Sequence, residues 1–274
     1  MRCWLMDKLV SVIIPTYNRK DLTDKAVISV VTAFPSLVEI VVVDDCGSHA
    51  YSYDAKNSSG VLVHVIRLDR NVGAGMARQA GVAQATGKFI AFLDSDDRYD
   101  KDWVDYVLAL LQSDSVALNH RVFISGITQG GKRGAALTRK LLTGLPQPLH
   151  LFASRLESIM FNPFYTPSIV ICRDLCVFMN GLRHCEDYYS TALALFRANK
   201  IYLPHVVACH LGRAPNSTGG ESAAREKMFI GEMKVRLAIS REVGVPLGYK
   251  LLVPVGIAYQ WCRSGVKTLF RFVA

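Results

Sequence analysis

The sequence predicts an α/β chain built on a mostly parallel sheet with helices on both faces, and three observations carry that expectation. Four short, β-branched apolar runs of strand length occur early: VSVIIP (10–15), EIVVVDD (39–45), LVHVIRL (62–68) and KFIAFLD (88–94). Helix-length stretches alternate with them, and strands apolar on both faces belong to parallel sheets covered on both sides. A chain of 274 residues, 50% hydrophobic, has enough apolar surface to bury such a core.

Taken in order, the first strand runs into Pro15-Thr16-Tyr17-Asn18-Arg19. A helix over Asp21 to Thr32 follows, with apolar positions at Leu22, Ala26 and Val30. After the second and third strands, Gly75 to Ala85 reads as a helix that stops at Thr86-Gly87. The fourth strand then precedes a helix over Asp102 to Leu111 and closes a nucleotide-binding half at residues 1–112. Residues 113–220 are less regular. TQGGKRGAALTRK (128–140) is a Gly-rich basic loop, PSIVICR (167–173) a strand and EDYYSTALALFRANK (186–200) an amphipathic helix. Residues 221–274 form a helical, basic, amphipathic extension.

Charge narrows the partners. The formal net charge of +9 favours anionic ones, but alone it does not separate nucleic acid, anionic lipid and phosphorylated small molecules. Its distribution says more: residues 115–156 carry Arg121, Lys132, Arg133, Arg139, Lys140 and Arg155 with no acid, and residues 243–274 carry Lys250, Arg263, Lys267 and Arg271, again with none. Seven cysteines without a CxxC pair read as reduced thiols of a cytoplasmic protein. Zinc held by Cys172, Cys176, Cys185 and His184 is the alternative to buried apolar cysteines, and the spacing disfavours it. MRCWLMDKLV lacks the apolar stretch of a secretory leader, and Met6 is a second candidate start.

Chemistry gathers at the strand ends. In FIAFLDSDDR (89–98), Asp94, Asp96 and Asp97 follow a run that should be buried, where like charges repel strongly. A hard cation such as Mg²⁺ or Mn²⁺, held by Asp94 and Asp96, would cancel that repulsion and complete its shell with substrate phosphate. The other strands end in residues 15–19, in Asp44-Asp45 and near Asn71. Singly, such residues are ordinary turn and cap formers; together they line the carboxyl edge of the sheet, where open α/β folds bind ligands. NVGAGMARQAG (71–81) adds glycines for close backbone approach and Arg78 for a phosphate. Neither GxGxxG nor GxxxxGK[ST] occurs, which argues against dinucleotide oxidoreductases and P-loop NTPases.

VSVIIPTYNR, VVVDDCGS and LDRNVGAGMARQAGVAQATGKFIAFLDSDDRYD, in that order, resemble the successive motifs of family 2 inverting glycosyltransferases of the bacterial surface-polysaccharide type. PSIVICRD, NGL and HCEDYYSTALAL resemble that family's acceptor-side strand and ED motif. The resemblance implies a GT-A fold, a nucleotide-sugar donor (UDP-linked), a glycan or lipid-linked acceptor, a Mg²⁺ or Mn²⁺ cofactor and no nucleic acid. By the same resemblance Pro15, Thr16, Tyr17, Asn18, Arg19, Asp45, Asn71, Arg78, Asp94 and Ser95 line the nucleotide, with Thr16, Tyr17 and Asp45 on base and ribose. Asp96, with Asp94, meets the metal, and Asp187 is the general base. The family's Arg-then-His pattern beyond the ED helix is altered: Arg213 is followed by Ala214-Pro215, and His210 precedes it, which leaves both roles open.

Two other readings remain: a noncatalytic nucleotide-sugar-binding or scaffold subunit, and a nucleotidyltransferase. The second would want a Lys-bearing, Gly-rich loop after the first strand, which PTYNRKD lacks. The C-terminal stretch 250–274 is too interrupted by Pro254 and Arg263 to span a bilayer. It reads either as a basic helix on the anionic cytoplasmic face of the membrane or as a helix packed on the domain with its cations solvated.

Overall fold

The computed structural model describes residues 9–32, 37–54, 60–113, 121–129, 146–212 and 225–273. β1 (Val10–Thr16) and β2 (Val38–Asp44) are buried at every position, so their β-branched side chains fill both faces of a sheet. α1 (Lys20–Val31) joins them, and their parallel register pairs Ile13 with Val41. β3 (Leu62–Arg67) lies beside β2 but departs from the expectation of burial on both faces: it is an edge strand, and Leu62 and Val65 face solvent. α2 (Ala74–Gln84) crosses back to β4 (Phe89–Phe92), which pairs with β1. A glycine is required at 81, where a Cβ would lie 2.5 Å from Ile13 Cγ2, so α2 sits closer to the sheet than any side chain would permit.

The second half supplies β5 (Arg98–Tyr99), α3 (Lys101–Gln112), β6 (Val122–Ser125), β7 (Ile127–Gln129), α4 (Gln147–Met160), β8 (Ile169–Cys172), α5 (Glu186–Arg197), β9 (Lys200–Tyr202), β10 (Val207–His210), α6 (Arg225–Arg241) and α7 (Leu247–Val273). Seven strands form the main sheet in the order β3-β2-β1-β4-β8-β6-β9. Only β8 runs against the others, since it is antiparallel to both β4 and β6 while β6 and β9 are parallel. β5, β10 and β7 make a small second sheet. The expected mostly parallel sheet flanked by helices is therefore present, with one reversed strand taken from the acceptor-side segment.

The expected helices match within two residues, save that the 186–200 stretch ends as helix at Arg197 and turns into β9. α7 continues through Pro254. A first core fills both faces of the sheet, and a second, around Ile159, Tyr188, Leu193, Val235 and Val253, lies among α4, α5, α6 and α7. The zinc alternative is not assembled. Cys172 and Cys176 are buried beside one another at the end of β8, whereas Cys185 packs against Met228, and burial pushes all three thiols up. No described helix is long and apolar enough to cross a membrane. Cys3, Arg213 and nearly all of the 128–140 loop lie outside the described residues.

Candidate functional site

The carboxyl ends of β1, β2 and β4 meet at one edge, and their carboxylates divide into two groups. Asp44 and Asp45, at the end of β2, are buried and accept backbone amides. Asp44 takes Gly47 and Tyr51, both at 3.0 Å, and Arg67 at 2.5 Å; Asp45 takes Val72 at 2.7 Å and Gly73 at 2.8 Å. Burial opposes the charge on Asp44, but these donors outweigh it and hold the carboxyl below its usual range. Asp45, expected on the base or ribose, therefore fixes the 71–73 loop. Asn71 extends from the same loop, with its amide on the Asp45 carbonyl.

On the other side of this edge, Pro15 and Thr16 are buried and Tyr17 is half exposed. The Thr16 hydroxyl pairs with Thr23 at 2.6 Å. Asn18 adopts a left-handed conformation (φ 53°) that turns its amide oxygen onto Ser48 N–H at 2.7 Å, drawing the Cys46-Gly47-Ser48 turn against it. A Cβ on Gly47 would lie 2.7 Å from that oxygen, so the turn needs a glycine there.

The carboxylates after β4 face arginines. Asp94, about one third exposed, pairs with Arg78 at 2.5 Å, and Asp96 meets Arg19 at 3.5 Å. Ser95 is buried between them, and Asp97 accepts Gly212 N–H at 2.9 Å, tying the chain beyond β10 to this turn. Gly212 itself lies so close to the Asp96 carbonyl that a side chain would collide. His210 pairs with Asp100, the cap of α3, at 2.8 Å, which gives it a structural role at the small sheet.

Arg78 also reaches Glu186 at 3.4 Å. Burial works against its charge, but Asp94, Glu186 and Asp187 more than outweigh that, so the guanidinium is held protonated more firmly than usual. One buried arginine thus ties the turn after β4 to the first turn of α5. Expected to lie near the nucleotide as a phosphate partner, Arg78 is here occupied by carboxylates. A Cβ at Gly75 would overlap the Glu186 side chain, so that glycine lets α2 and α5 approach. Asp187, next to buried Glu186, is half exposed; it accepts the Thr166 hydroxyl at 3.0 Å and its neighbour Tyr188 N–H at 2.8 Å. Cys185, left-handed at φ 63°, turns the chain into α5 without a side-chain cap.

Thr166 and Arg183 were not singled out from sequence. Thr166 sits in a short helical turn before β8, twenty-one residues from its partner, and nothing local marks it. Arg183 donates to Asn71 at 2.8 Å across the mouth of the edge; its position three residues before the ED pair was the one available signal.

Among the described residues no three His, Cys, Asp or Glu side chains gather as a metal-holding group. A divalent cation bound mainly through a substrate diphosphate needs only one or two carboxylates. Asp94 and Asp96 are hard oxygen donors of the kind such an ion takes, and one Asp94 oxygen is paired with Arg78.

Residues 11–164, more than half of the chain, match the glycosyl transferase family 2 model. The chain is 34% identical over 113 residues to the putative teichuronic acid biosynthesis glycosyltransferase TuaG of Bacillus subtilis, covering 40% of this chain and 45% of TuaG. It is 27% identical over 196 residues to the poly(ribitol-phosphate) beta-N-acetylglucosaminyltransferase TarS of Staphylococcus aureus, covering 70% of this chain and 33% of TarS. The matched part spans less than half the length of these relatives. Among solved structures, S. aureus TarS 1-349 in complex with UDP-GlcNAc superimposes with a TM-score of 0.66 at 21% identity, over 92% of this chain and 72% of that one. The mannosyltransferase PcManGT from Pyrobaculum calidifontis, in complex with GDP-Man and Mn²⁺, gives 0.61 at 15% identity, over 97% and 76%. The fold is the GT-A arrangement of these enzymes.

Proposed function

The chain belongs to glycosyl transferase family 2, and on that premise we propose that it moves a sugar, with inversion, from a UDP-linked donor to a glycan or lipid-linked acceptor in surface-polysaccharide synthesis. The observation that supports this reading is the Arg78 bridge, which ties Asp94 of the turn after β4 to Glu186, the neighbour of Asp187. A donor sugar and an acceptor hydroxyl need that juxtaposition to react.

Asp187 takes the proton of the acceptor hydroxyl, while Thr166 and the Tyr188 amide fix the carboxylate's orientation. The acceptor oxygen forms a bond to the sugar carbon as the bond to the diphosphate breaks on the opposite face. The nucleoside diphosphate leaves with the electron pair. Asp94 and Asp96 would hold a Mg²⁺ or Mn²⁺ ion, which would supply positive charge for the departing diphosphate. Asp45 and Asn71 shape the nucleoside pocket through the 71–73 loop, and Tyr17 offers its exposed ring to the base. A lipid-linked acceptor brings the enzyme to the cytoplasmic face of the membrane.

The test is a thermal shift with UDP and GDP, each with and without Mn²⁺. A nucleotide at about a hundred times its Kd stabilises the folded state by about 2.7 kcal/mol. UDP with Mn²⁺ should raise the midpoint most, and Asp96→Ala should erase the metal-dependent part alone. No shift with any nucleotide, or an unchanged metal response in Asp96→Ala, overturns the reading.

A further inference from the structure

We propose that the outward face of α7 docks on an anionic lipid bilayer. The inference rests on the reading that the acceptor is carried by a lipid, and it adds the surface that meets that lipid.

α7 is apolar on both sides, the one packed on the domain and the one facing solvent. Toward the domain it turns Leu252, Val253, Gly256 and Ile257 together with the amide of Gln260, and it is pressed so close to α4 that a Cβ on Gly256 would lie 2.5 Å from the Ile159 carbonyl. Toward solvent it turns Leu247, Leu251, Val255, Tyr259 and Trp261, with Leu251 68% and Trp261 59% exposed. A surface helix normally keeps its outer side polar, so this second apolar face exposes what a partner should cover.

The patch continues onto α6. Trp261 stands edge-on to Phe229 with ring centroids 5.2 Å apart, and Leu237 of α6 joins Lys250, Pro254, Ile257 and Trp261 around a shallow groove of about 630 Å³. This is one apolar surface made by two helices.

Charge identifies the occupant. From Val243 to the end the chain carries Lys250, Arg263, Lys267 and Arg271 and not one acid. A second copy meeting this face through a two-fold axis would bring two segments of like net charge together. An anionic bilayer accepts both features: acyl chains take Leu251 and Val255, and the headgroup layer takes the lysine and the amphipathic rings of Tyr259 and Trp261. Since no described helix is long and apolar enough to span, the contact lies in the plane of the interface.

The test is sedimentation of the full chain with vesicles of phosphatidylcholine alone and with about 30% phosphatidylglycerol. Wild type should partition at least about tenfold more strongly onto the anionic vesicles, with a blue shift of tryptophan emission. A Leu251→Ser, Val255→Ser, Trp261→Ser triple variant, changed only at exposed positions, should lose about tenfold or more of that binding while its circular dichroism and UDP-dependent thermal shift stay unchanged. Equal partitioning of wild type onto both vesicles, or a variant that binds like wild type, overturns the proposal. So does a wild-type dimer that the triple variant dissolves, which would assign the face to a second copy. Vesicle binding is read without donor or acceptor, so its failure leaves the transferase reading standing; only the absence of a nucleotide thermal shift strikes that.

Discussion

The nucleotide half and the helical half solve the same problem, stray backbone polar groups at element ends, with opposite charges. In the first half, acids accept loop amides: Asp44 those of Gly47 and Tyr51, Asp45 those of Val72 and Gly73, and Glu39 those of Thr86 and Gly87. In the second, arginines donate to the last carbonyls of neighbouring helices. Arg236 of α6 takes Ile159 and Met160 at the end of α4, and Arg155 of α4 takes Leu195, Phe196 and Ala198 at the end of α5. A helix end that lacks a glycine cap needs such a cation, because its carbonyls are unpaired and lie at the negative end of the dipole. On the proposed function, the difference bears on which carboxylates do chemistry. Asp44, Asp45 and Glu39 each accept two loop amides, whereas Asp94 and Asp96 face arginines and Asp187 accepts a threonine hydroxyl and its neighbour's amide.

The largest expected effect falls on the helical half. Arg236 is 1% exposed, lies over the Tyr188 ring and serves two buried carbonyls. Arg236→Ala leaves both acceptors without a donor and should cost about 3 kcal/mol in urea denaturation, against about 1 kcal/mol for half-buried Arg155→Ala, where water replaces the guanidinium. Equal losses at the two sites would break the idea that burial of the cation is what holds the helix ends.

The next effect sharpens the division among the carboxylates. Asp187→Asn preserves shape and the Thr166 contact but cannot take a proton, so turnover should fall about 10²-fold, equivalent to about 2.7 kcal/mol of barrier, with donor affinity and stability unchanged. If Asp187→Asn instead lowers the melting midpoint and leaves turnover intact, Asp187 belongs with Asp44 and Asp45 as a wall.

The same contrast explains what the sequence could reveal. Runs such as VSVIIP and EIVVVD are buried at every position, so composition alone identifies them as strands, and their polar ends follow from topology. α4 escapes because its buried face includes Ser154 and Ser158 while Leu149 and Phe152 lie outside, which dilutes the helical period. α7 carries apolar residues on both its inner and outer sides, which blurs the period further. Around the candidate site, the sequence shows Asp94, Asp96 and Asp187 as carboxylates after a strand or at a helix start. The Arg78 bridge was not: its partners lie 16 and 108 residues away, and pairing at such separation belongs to the packed structure. The amide partners of Asp45, likewise, were invisible in VVVDDCGS.

The smallest effect is a pH dependence in the first half, and its sign follows from Glu39. This residue, fully buried on β2, accepts the Ser11 hydroxyl at 2.5 Å and the amides of Thr86 at 2.6 Å and Gly87 at 3.3 Å. Burial alone would raise its pKa; the hydrogen bonds outweigh burial and lower it below the ordinary 4.5. His64, half exposed, lies 3.8 Å from the other Glu39 carboxylate oxygen. A folded pKa below the unfolded one means that the carboxylate's contribution is fully present above about pH 4.5 and is lost as the pH falls through the lower folded value. Glu39→Gln removes the titration while leaving one acceptor oxygen, so it should be about 1 kcal/mol less stable than wild type at pH 7, with the gap narrowing toward pH 3. Arg155→Ala, whose partners are carbonyls that do not titrate, should keep a constant gap over the same range. Denaturation midpoints of the three proteins between pH 3 and 7 test this. A gap for Glu39→Gln that stays constant with pH would mean that the acids of the nucleotide half act through shape alone, and the electrostatic half of the comparison would fall.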